Sequence, residues 1–265
     1  MIDETQVENI RQHGVFKDSG QSRLAALTEE IGFRMDQPAE YVIIGGCLQP
    51  EAMPHVLITL KSLLEHLGVD YTLLSREYCC GWMPIGQPAV MTRNEEDIKE
   101  FREVSKGFVL ENFKQAETLG AKAIALFCAA CEPNYSNCRD ATKLDFISYA
   151  ELLDRHFEGG KLDLEIDYYP GCYRFRRRIT ESSLDVEPAT RLLNKIEGLK
   201  VNHLDAKLCC YIPPHLEQLK DSLTTKDLTT ICTGCYQNLR GVLQGEGDNK
   251  VRMLPELVIE AIQGL

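Results

Sequence analysis

The chain has 265 residues, 44% of them apolar, and a net charge of −11. That apolar fraction is enough for one large core or two smaller ones, and the negative charge argues against nucleic acid or an anionic membrane surface as a partner. The acidic N-terminus lacks the apolar stretch of a signal peptide, and the longest apolar run, residues 123–130, is too short to span a membrane. We therefore expect a cytoplasmic protein that does not span a membrane.

Residues 1–38 form a polar leading segment with two predicted helices, around residues 5–12 and 22–31. Its apolar residues recur at helical spacing, which is typical of an amphipathic helix. They are Val7, Ile10, Leu24, Leu27 and Ile31. Because neither half of the remaining chain offers an evident place for them, we predict that residues 1–38 are a docking extension for a partner.

Beyond this segment, strand and helix patterns alternate, which favours α/β halves with parallel sheets. We predict a first domain over 39–160 and a second over 161–265, with a charged linker at 158–163. In chain order, the patterns predict strands at 41–44, 69–74, 121–127, 166–169 and 199–204, and helices at 56–67, 95–119, 188–196 and 215–223.

Ten of the eleven cysteines follow one pattern that occurs twice: a single cysteine, an adjacent pair, and then C-x-x-C. The first set is Cys47, Cys79, Cys80, Cys128 and Cys131, and the second set is Cys172, Cys209, Cys210, Cys232 and Cys235.

The flanking sequence repeats as well. Gly68 and Gly198 each stand 11 positions before their cysteine pair, and we interpret each as the end of a helix followed by a buried strand. Residues 149–153 also resemble residues 254–258. These matches predict an internal duplication.

Five thiols in each set exceed the four ligands of a zinc site and suit an iron–sulfur cluster. Adjacent cysteines cannot form a disulfide with each other without strain, and a chain without an export signal favours metal over disulfides. One zinc ion held by the two C-x-x-C pairs is the alternative, although it leaves six motif cysteines without a role. Cys138 lies outside both sets and fits a plain loop or buried thiol.

The tandem pattern Cys-x31-Cys-Cys-Gly followed by C-x-x-C resembles the CCG cysteine-rich domain, which occurs twice in the B-type component of heterodisulfide reductase. The resemblance covers roughly residues 40–265 and rests on the stretches 46–50, 67–69, 79–81, 169–173 and 232–235. The repeat and the alternating patterns predict two pseudo-symmetric, Rossmann-like halves with parallel sheets, and all the cysteines then lie in loops at the carboxyl ends of strands. The resemblance implies that each set holds a noncubane [4Fe–4S] cluster through all five cysteines, with the substrate disulfide between the clusters.

The resemblance further implies an oxidoreductase subunit of anaerobic metabolism that reduces a disulfide or a similar two-electron acceptor. The chain has neither a C-x2-C-x2-C-x3-C-P ferredoxin motif nor a G-x-G-x-x-G fingerprint. We therefore expect activity only in a hetero-oligomer with a ferredoxin-type iron–sulfur subunit and a flavoprotein subunit. The alternative is a non-catalytic electron-transfer subunit of a flavoprotein, quinone-linked or acyl-CoA-reducing complex.

The second copy departs from the family pattern after its cysteine pair. Tyr211 stands where the family usually has glycine, and residues 211–214 replace a glycine-rich loop with a stiff, bulky one whose prolines cannot donate amides. Tyr211 is a candidate catalytic residue because a phenol can donate a proton to a departing thiolate. The alternative is that Tyr211 only fills space.

A basic run follows the first cysteine of the second set. Arg174 and Arg176 in this run are candidates for binding an anionic substrate. Docking of an acidic partner and a solvated basic loop are the alternatives.

Overall fold

The computed structural model describes residues 2–17, 20–172, 183–246 and 248–264. In chain order, the helices are α1 (Glu4–His13), α2 (Gly20–Ala25), α3 (Gln49–Ala52), α4 (Pro54–His66), α5 (Gln87–Thr92), α6 (Glu95–Thr118), α7 (Glu132–Ser136), α8 (Tyr149–His156), α9 (Val186–Leu193), α10 (Pro213–Asp221), α11 (Thr233–Glu246) and α12 (Leu254–Gln263). The strands are β1 (Tyr41–Ile44), β2 (Tyr71–Leu73), β3 (Ala123–Leu126), β4 (Asp145–Ser148), β5 (Gly160–Tyr169), β6 (Ile196–His203), β7 (Asp227–Thr230) and β8 (Lys250–Met253). No helix in the described ranges is long and apolar enough to cross a membrane.

The chain divides into two compact units. Unit 1 consists of Met1–Pro54 and Asp70–Phe146, and unit 2 consists of His55–Val69 and Ile147–Leu265. The chain forms two four-stranded parallel sheets, one in unit 2 and one in unit 1 apart from the last two residues of β4, which confirms the predicted α/β fold class with two similar halves.

The two sheets have the same topology. In unit 1 the strand order is β2-β1-β3-β4, and in unit 2 it is β6-β5-β7-β8. The first strand of each unit pairs in parallel with the second and the third. Strands β1, β2 and β3 are buried along their whole length, as expected for a parallel sheet covered on both faces.

The predicted elements of unit 1 lie close to the observed ones. Strand β1 has the predicted bounds, and α6 begins at the predicted Glu95, whose preceding residue, Asn94, caps the helix by accepting from two backbone amides. Gly68 follows α4 with a φ of +67°, so the interpretation of this glycine as a helix end is confirmed.

The interpretation of Gly198 was wrong. Gly198 lies inside β6 with a φ of +85°, opposite the point where the register with β5 shifts between Lys161 and Leu164. A Cβ at this glycine would lie 3.1 Å from the Leu162 carbonyl oxygen. Gly198 is therefore required by a β-bulge and not by a helix end.

The predicted linker at 158–163 was also wrong in its C-terminal part, because β5 begins at Gly160. The first half of β5 alternates between exposed and partly buried residues, and this polar alternation is what suggested a linker. The compact units differ from the predicted boundaries 39–160 and 161–265 as well. Both α4 and α8 belong to unit 2, where Asp154 of α8 forms ion pairs with Arg191 and Lys195.

The leading segment is part of the core of unit 1. Val7 and Ile10 of α1 are fully buried in a cluster that includes Cys79 and Phe101. Leu27 and Ile31 are buried too, whereas Leu24 is only partly buried. The argument for a docking extension depended on these residues having no place in either half, and the structure gives them one.

Candidate metal centres

Nine of the ten motif cysteines lie in loops that follow the carboxyl ends of strands, as predicted, whereas Cys235 lies in the first turn of α11. The single cysteines, Cys47 and Cys172, each stand three positions after the last residue of their strand. The cysteine pairs begin six positions after β2 and β6, and the C-x-x-C motifs begin two positions after β3 and β7. The spacing from strand to cysteine is therefore the same in both units, which supports the predicted duplication more directly than the glycine spacing did.

The thiols of the first set form a continuous row of contacts. The Sγ atoms of Cys80 and Cys131 are 3.4 Å apart. Cys79 contacts Cys47 on one side and Cys80 on the other, and Cys131 contacts Cys128. All of these side chains are buried except that of Cys47, which is partly exposed. The five cysteines of the first set thus come together in one place.

These contacts perturb the ionisation of the thiols. Contact with Cys47 and Cys80, together with burial, raises the pKa of Cys79 well above that of a free thiol. Contact with Cys131 and Cys79 lowers the pKa of Cys80, and the Trp82 backbone amide and the Asn134 side chain contribute to the same shift. Adjacent buried thiols cannot all ionise without a positive counter-charge, because like charges repel strongly at short range.

Helix α6 fixes the loop that carries Cys79 and Cys80. Asn112 accepts a hydrogen bond from the Tyr78 amide at 2.8 Å and donates to the Tyr78 carbonyl at 2.7 Å. Ser105 donates to the Cys80 carbonyl at 2.7 Å. Since both anchors come from one long, buried face of α6, the position of the cysteine pair depends on that helix.

A buried ion pair fixes the loop that carries Cys47. The Glu77 carboxylate accepts the amide hydrogens of Gly45 and Gly46, each at 2.9 Å, and Arg23 binds the same carboxylate at 2.8 Å. Arg23 and Glu77 are only 2% and 3% exposed. Burial raises the pKa of Glu77, and the charge of Arg23 and the two amides oppose that rise.

The second set also comes together. Cys172 contacts Cys209, and this contact, together with burial and the neighbouring Cys235 and Cys232, raises the pKa of Cys172. A Cβ at Gly171 would lie 3.0 Å from the Cβ of Cys232. Cys172 and Cys232 are partly exposed, so two thiols of this set reach the surface of the unit, against one in the first set.

Different residues anchor the loops of the second set. The Tyr169 hydroxyl donates to the Leu208 carbonyl at 2.6 Å, and Asn238 of α11 donates to the Cys210 carbonyl at 2.6 Å. His215 accepts the Cys209 amide hydrogen through Nδ1 at 3.2 Å. Burial, and after it the nearby thiols, raises the pKa of Tyr169, so this tyrosine remains a neutral hydrogen-bond donor.

Tyr211 lies at the second set, where its hydroxyl donates to the carbonyl of Gly234, inside the C-x-x-C motif, at 2.9 Å. The side chain is 58% exposed. Pro213 and Pro214 form the first turn of α10, where a missing amide hydrogen costs nothing, so they begin a helix and do not form a stiff loop. Arg174 and Arg176 lie outside the described residues.

The donor set fits an iron–sulfur cluster better than a single ion. Each set offers five thiols, one more than a four-coordinate zinc ion uses, and cysteine thiolates are the usual ligands of iron–sulfur clusters. In each unit a C-x-x-C cysteine lies near other thiols of the same set: the Sγ atoms of Cys131 and Cys80 are 3.4 Å apart, and Cys235 interacts electrostatically with Cys172. Thiols in mutual contact must move apart to surround four irons.

The first set also has a hydrogen-bond donor for a cluster. The Asn134 Nδ2, which is buried and makes no hydrogen bond of ordinary geometry, is available to donate to cluster sulfur.

The family model of the CCG cysteine-rich domain matches residues 41–134. This chain carries a CCG domain. The domain contains all five cysteines of the first set, and the match does not extend to the second set. No curated protein matches the sequence. An aspartate racemase homologue of known structure from Pyrococcus horikoshii OT3 is 12% identical over 86% of this chain and 98% of its own, with a TM-score of 0.33. At this TM-score, the similarity does not establish a shared fold.

Several residues at the two sites were not predicted from the sequence. They are Arg23, Glu77, Ser105, Asn112, Asn134, Tyr169, His215 and Asn238. The CCG motif does not identify these residues, because each reaches its site through a tertiary contact. Most are distant in sequence from the loop that they hold. Glu77, Asn134, Tyr169 and Asn238 had a weak signal, because each lies within three positions of a motif cysteine.

Proposed function

We propose that this protein is the iron–sulfur subunit of an oxidoreductase complex of the heterodisulfide reductase type. The observation that carries the proposal is the convergence of Cys47, Cys79, Cys80, Cys128 and Cys131 at one sheet edge of the CCG domain. The second set, with the same strand-to-cysteine spacing, is proposed as a second site of the same kind. Each set would hold one noncubane [4Fe–4S] cluster through its five cysteines.

When bound, such a cluster supplies iron that exchanges electrons with a sulfur-containing acceptor. The protein provides ten thiolate ligands and donors that stabilise negative charge on sulfur. The Gly81 amide donates to Cys79 Sγ at 3.4 Å, and Asn134 lies beside Cys80. Hydrogen bonds to sulfur raise the reduction potential of a cluster, so these two donors favour electron uptake at the first set.

The proposed substrate is a small-molecule disulfide. Its S–S bond breaks, two electrons and two protons enter, and two thiols leave. The electrons come from a ferredoxin-type iron–sulfur subunit and a flavoprotein subunit of the same complex. Arg174 and Arg176 are proposed to bind the anionic groups of this substrate. Tyr211 is proposed as a proton donor, and its exposed hydroxyl at the second set supports that role.

The experiment that tests this function is anaerobic purification of the full chain, followed by iron and sulfide analysis and EPR spectroscopy. We expect about eight iron and eight sulfide ions per chain, the content of two [4Fe–4S] clusters. Addition of a candidate disulfide to the oxidised protein should change the EPR spectrum. A protein that contains zinc and no sulfide would contradict the proposal.

A second function is favoured by the burial of four of the five thiols in the first set. An enclosed cluster suits electron transfer to a flavoprotein, quinone-linked or acyl-CoA-reducing partner better than substrate binding. The same EPR experiment separates the two functions. Clusters that are reduced by a partner but unchanged by every disulfide would identify a non-catalytic electron-transfer subunit.

A further inference from the structure

Two buried, charged side chains enclose the peptide that precedes Cys47. Glu77 binds Gly45 through Oε2 and Gly46 through Oε1. Arg23 binds Glu77 Oε2 at 2.8 Å and donates from Nε to the Gly46 carbonyl at 3.3 Å. The amide hydrogens of both glycines and one of their carbonyls are therefore satisfied by this one pair.

The pair also links the Cys47 loop to the Cys79 loop. Glu77 stands two positions before Cys79, and the Cys79 amide donates to the Gly14 carbonyl at 2.7 Å. Gly14 has a φ of +78°, and a Cβ there would lie 2.5 Å from the Glu77 carbonyl oxygen. The N-terminal segment thus approaches the Cys79 loop as closely as its backbone allows.

The fold does not require this arrangement, because the described residues of unit 2 do not repeat it. At the position of Gly45, unit 2 has Pro170, which has no amide hydrogen, and at the position of Glu77 it has Lys207. Removing ions from water costs several kcal/mol for each ion, and such pairs are often no more stabilising than apolar residues. A charged pair that is present at the first set and absent among the described residues of the second calls for an explanation specific to the first set.

We propose that Arg23 and Glu77 are positioning residues of the first cysteine set, an inference that rests on the proposed function for the cluster part of its test. Glu77 holds the Gly45-Gly46 peptide so that Cys47 meets Cys79, and Arg23 places a permanent positive charge one residue from Cys47. The segment that was predicted to dock a partner therefore supplies part of the site.

The first test uses the iron-free protein and the reaction of its partly exposed thiols with iodoacetamide. In the double variant Arg23→Gln/Glu77→Gln, Cys47 should react about tenfold faster than in the wild type, since the loop that carries it opens more often. Peptide mass spectrometry follows Cys47 separately, and Cys172 and Cys232 in unit 2 serve as internal controls whose rates stay unchanged. An unchanged rate at Cys47 would overturn the positioning role.

The second test measures reduction potentials in the cluster-loaded protein. Arg23→Gln removes a positive charge and should shift one cluster to a lower potential, whereas Glu77→Gln removes a negative charge and should shift the same cluster to a higher one. The double variant should lie close to the wild type. A merely structural role would move both single variants in the same direction, and that result would contradict the inference.

The matched control is Arg11→Gln, which removes an exposed arginine of the same segment whose side chain pairs with Glu8. It should leave both the alkylation rate and the potentials unchanged. If the wild type binds no iron, the proposed function fails while the alkylation test still decides the positioning role. If the clusters are present and none of the variants changes either measurement, only this inference fails.

Discussion

The two cysteine sets have the same framework and different supports. In both, the glycine before the single cysteine has a φ of +91°, and its backbone packs against the first cysteine of C-x-x-C. In the first set, a buried ion pair and α6 hold the loops, whereas a tyrosine hydroxyl and α11 hold them in the second. The comparison shows that the positions of the ligands follow from strand ends, while the contacts that support each site come from residues that differ between the two copies.

The largest expected effect tests whether the two sets are equivalent. Cys80→Ala and Cys210→Ala should each remove or convert one cluster and lower the iron content by up to half, because each cysteine belongs to one set only. Iron and sulfide analysis with EPR measures this. If Cys80→Ala leaves the iron content and the spectrum unchanged, the assignment of that cysteine as a ligand is wrong. If Cys210→Ala alone has no effect, only the first set holds a cluster.

The second prediction tests the shared glycine. Gly46→Ala and Gly171→Ala each place a side chain where φ is +91°. The new Cβ would lie 3.1 Å from the Cβ of Cys128 or 3.0 Å from that of Cys232, and at Gly46 it would also lie 2.1 Å from Gln49 Oε1, so the Gln49 side chain must shift. We expect each to lower the free energy of unfolding by about 1–3 kcal/mol. Urea denaturation of the iron-free protein measures it. A glycine that tolerates alanine in only one unit would show that the loops differ in backbone conformation. Gly107→Ala, in the middle of α6 with open space around it, is the control and should be neutral or stabilising.

The third prediction tests whether the hydrogen bond that holds a loop of the second set acts on that set alone. Tyr169→Phe removes the hydroxyl that binds the Leu208 carbonyl, and it should destabilise unit 2 by about 1 kcal/mol. Hydrogen exchange of backbone amides in the iron-free protein measures local unfolding separately in the two units. Increased exchange should be confined to the loops of the second set, and an equal increase at the first set would contradict the assignment of this bond as a local support.

The fourth prediction concerns pH. Burial opposes ionisation of Asp154, but hydrogen bonds from Lys195 and Arg191 outweigh it and lower the pKa of that carboxyl. A lowered folded-state pKa stabilises the protein above the unfolded value of about 3.9, and this contribution is lost as pH falls through the folded-state pKa. Unit 2 should therefore lose stability in acid. In Asp154→Asn, the melting temperature should fall less steeply as the solution becomes acidic. A melting temperature that falls with pH as it does in the wild type would show that the ion pairs of Asp154 do not contribute to stability.

The smallest expected structural effect is that of Tyr211→Phe. The exposed side chain keeps its ring and loses one hydrogen bond to Gly234, so the free energy of unfolding should change by about 0.5 kcal/mol or less. Disulfide turnover by the whole complex is the decisive measurement. A fall in turnover with unchanged stability and iron content indicates proton donation by the phenol, and unchanged turnover shows that Tyr211 only supports the C-x-x-C loop.

The sequence by itself determined the framework. Long buried runs such as Tyr41–Ile44 are typical of parallel strands, and parallel strands place the residues that follow them at one sheet edge. The repeated cysteine pattern therefore predicted both the two halves and the convergence of each set. The bounds of α6 were predictable for a local reason, since a capping asparagine stands before its acidic first turn.

Only the tertiary structure decided what surrounds the cysteines. Gly68 and Gly198 have equal spacing to their cysteine pairs, yet one ends a helix and the other sits at a bulge, because positive φ serves both geometries. Val7 and Ile10 have the spacing of a docking helix, but whether an apolar face meets a partner or the protein's own core depends on packing. The contact between Arg23 and Glu77 joins residues 54 positions apart, and no local pattern encodes such a pairing. Long-range contacts of this kind distinguish two sites that share the same ligands.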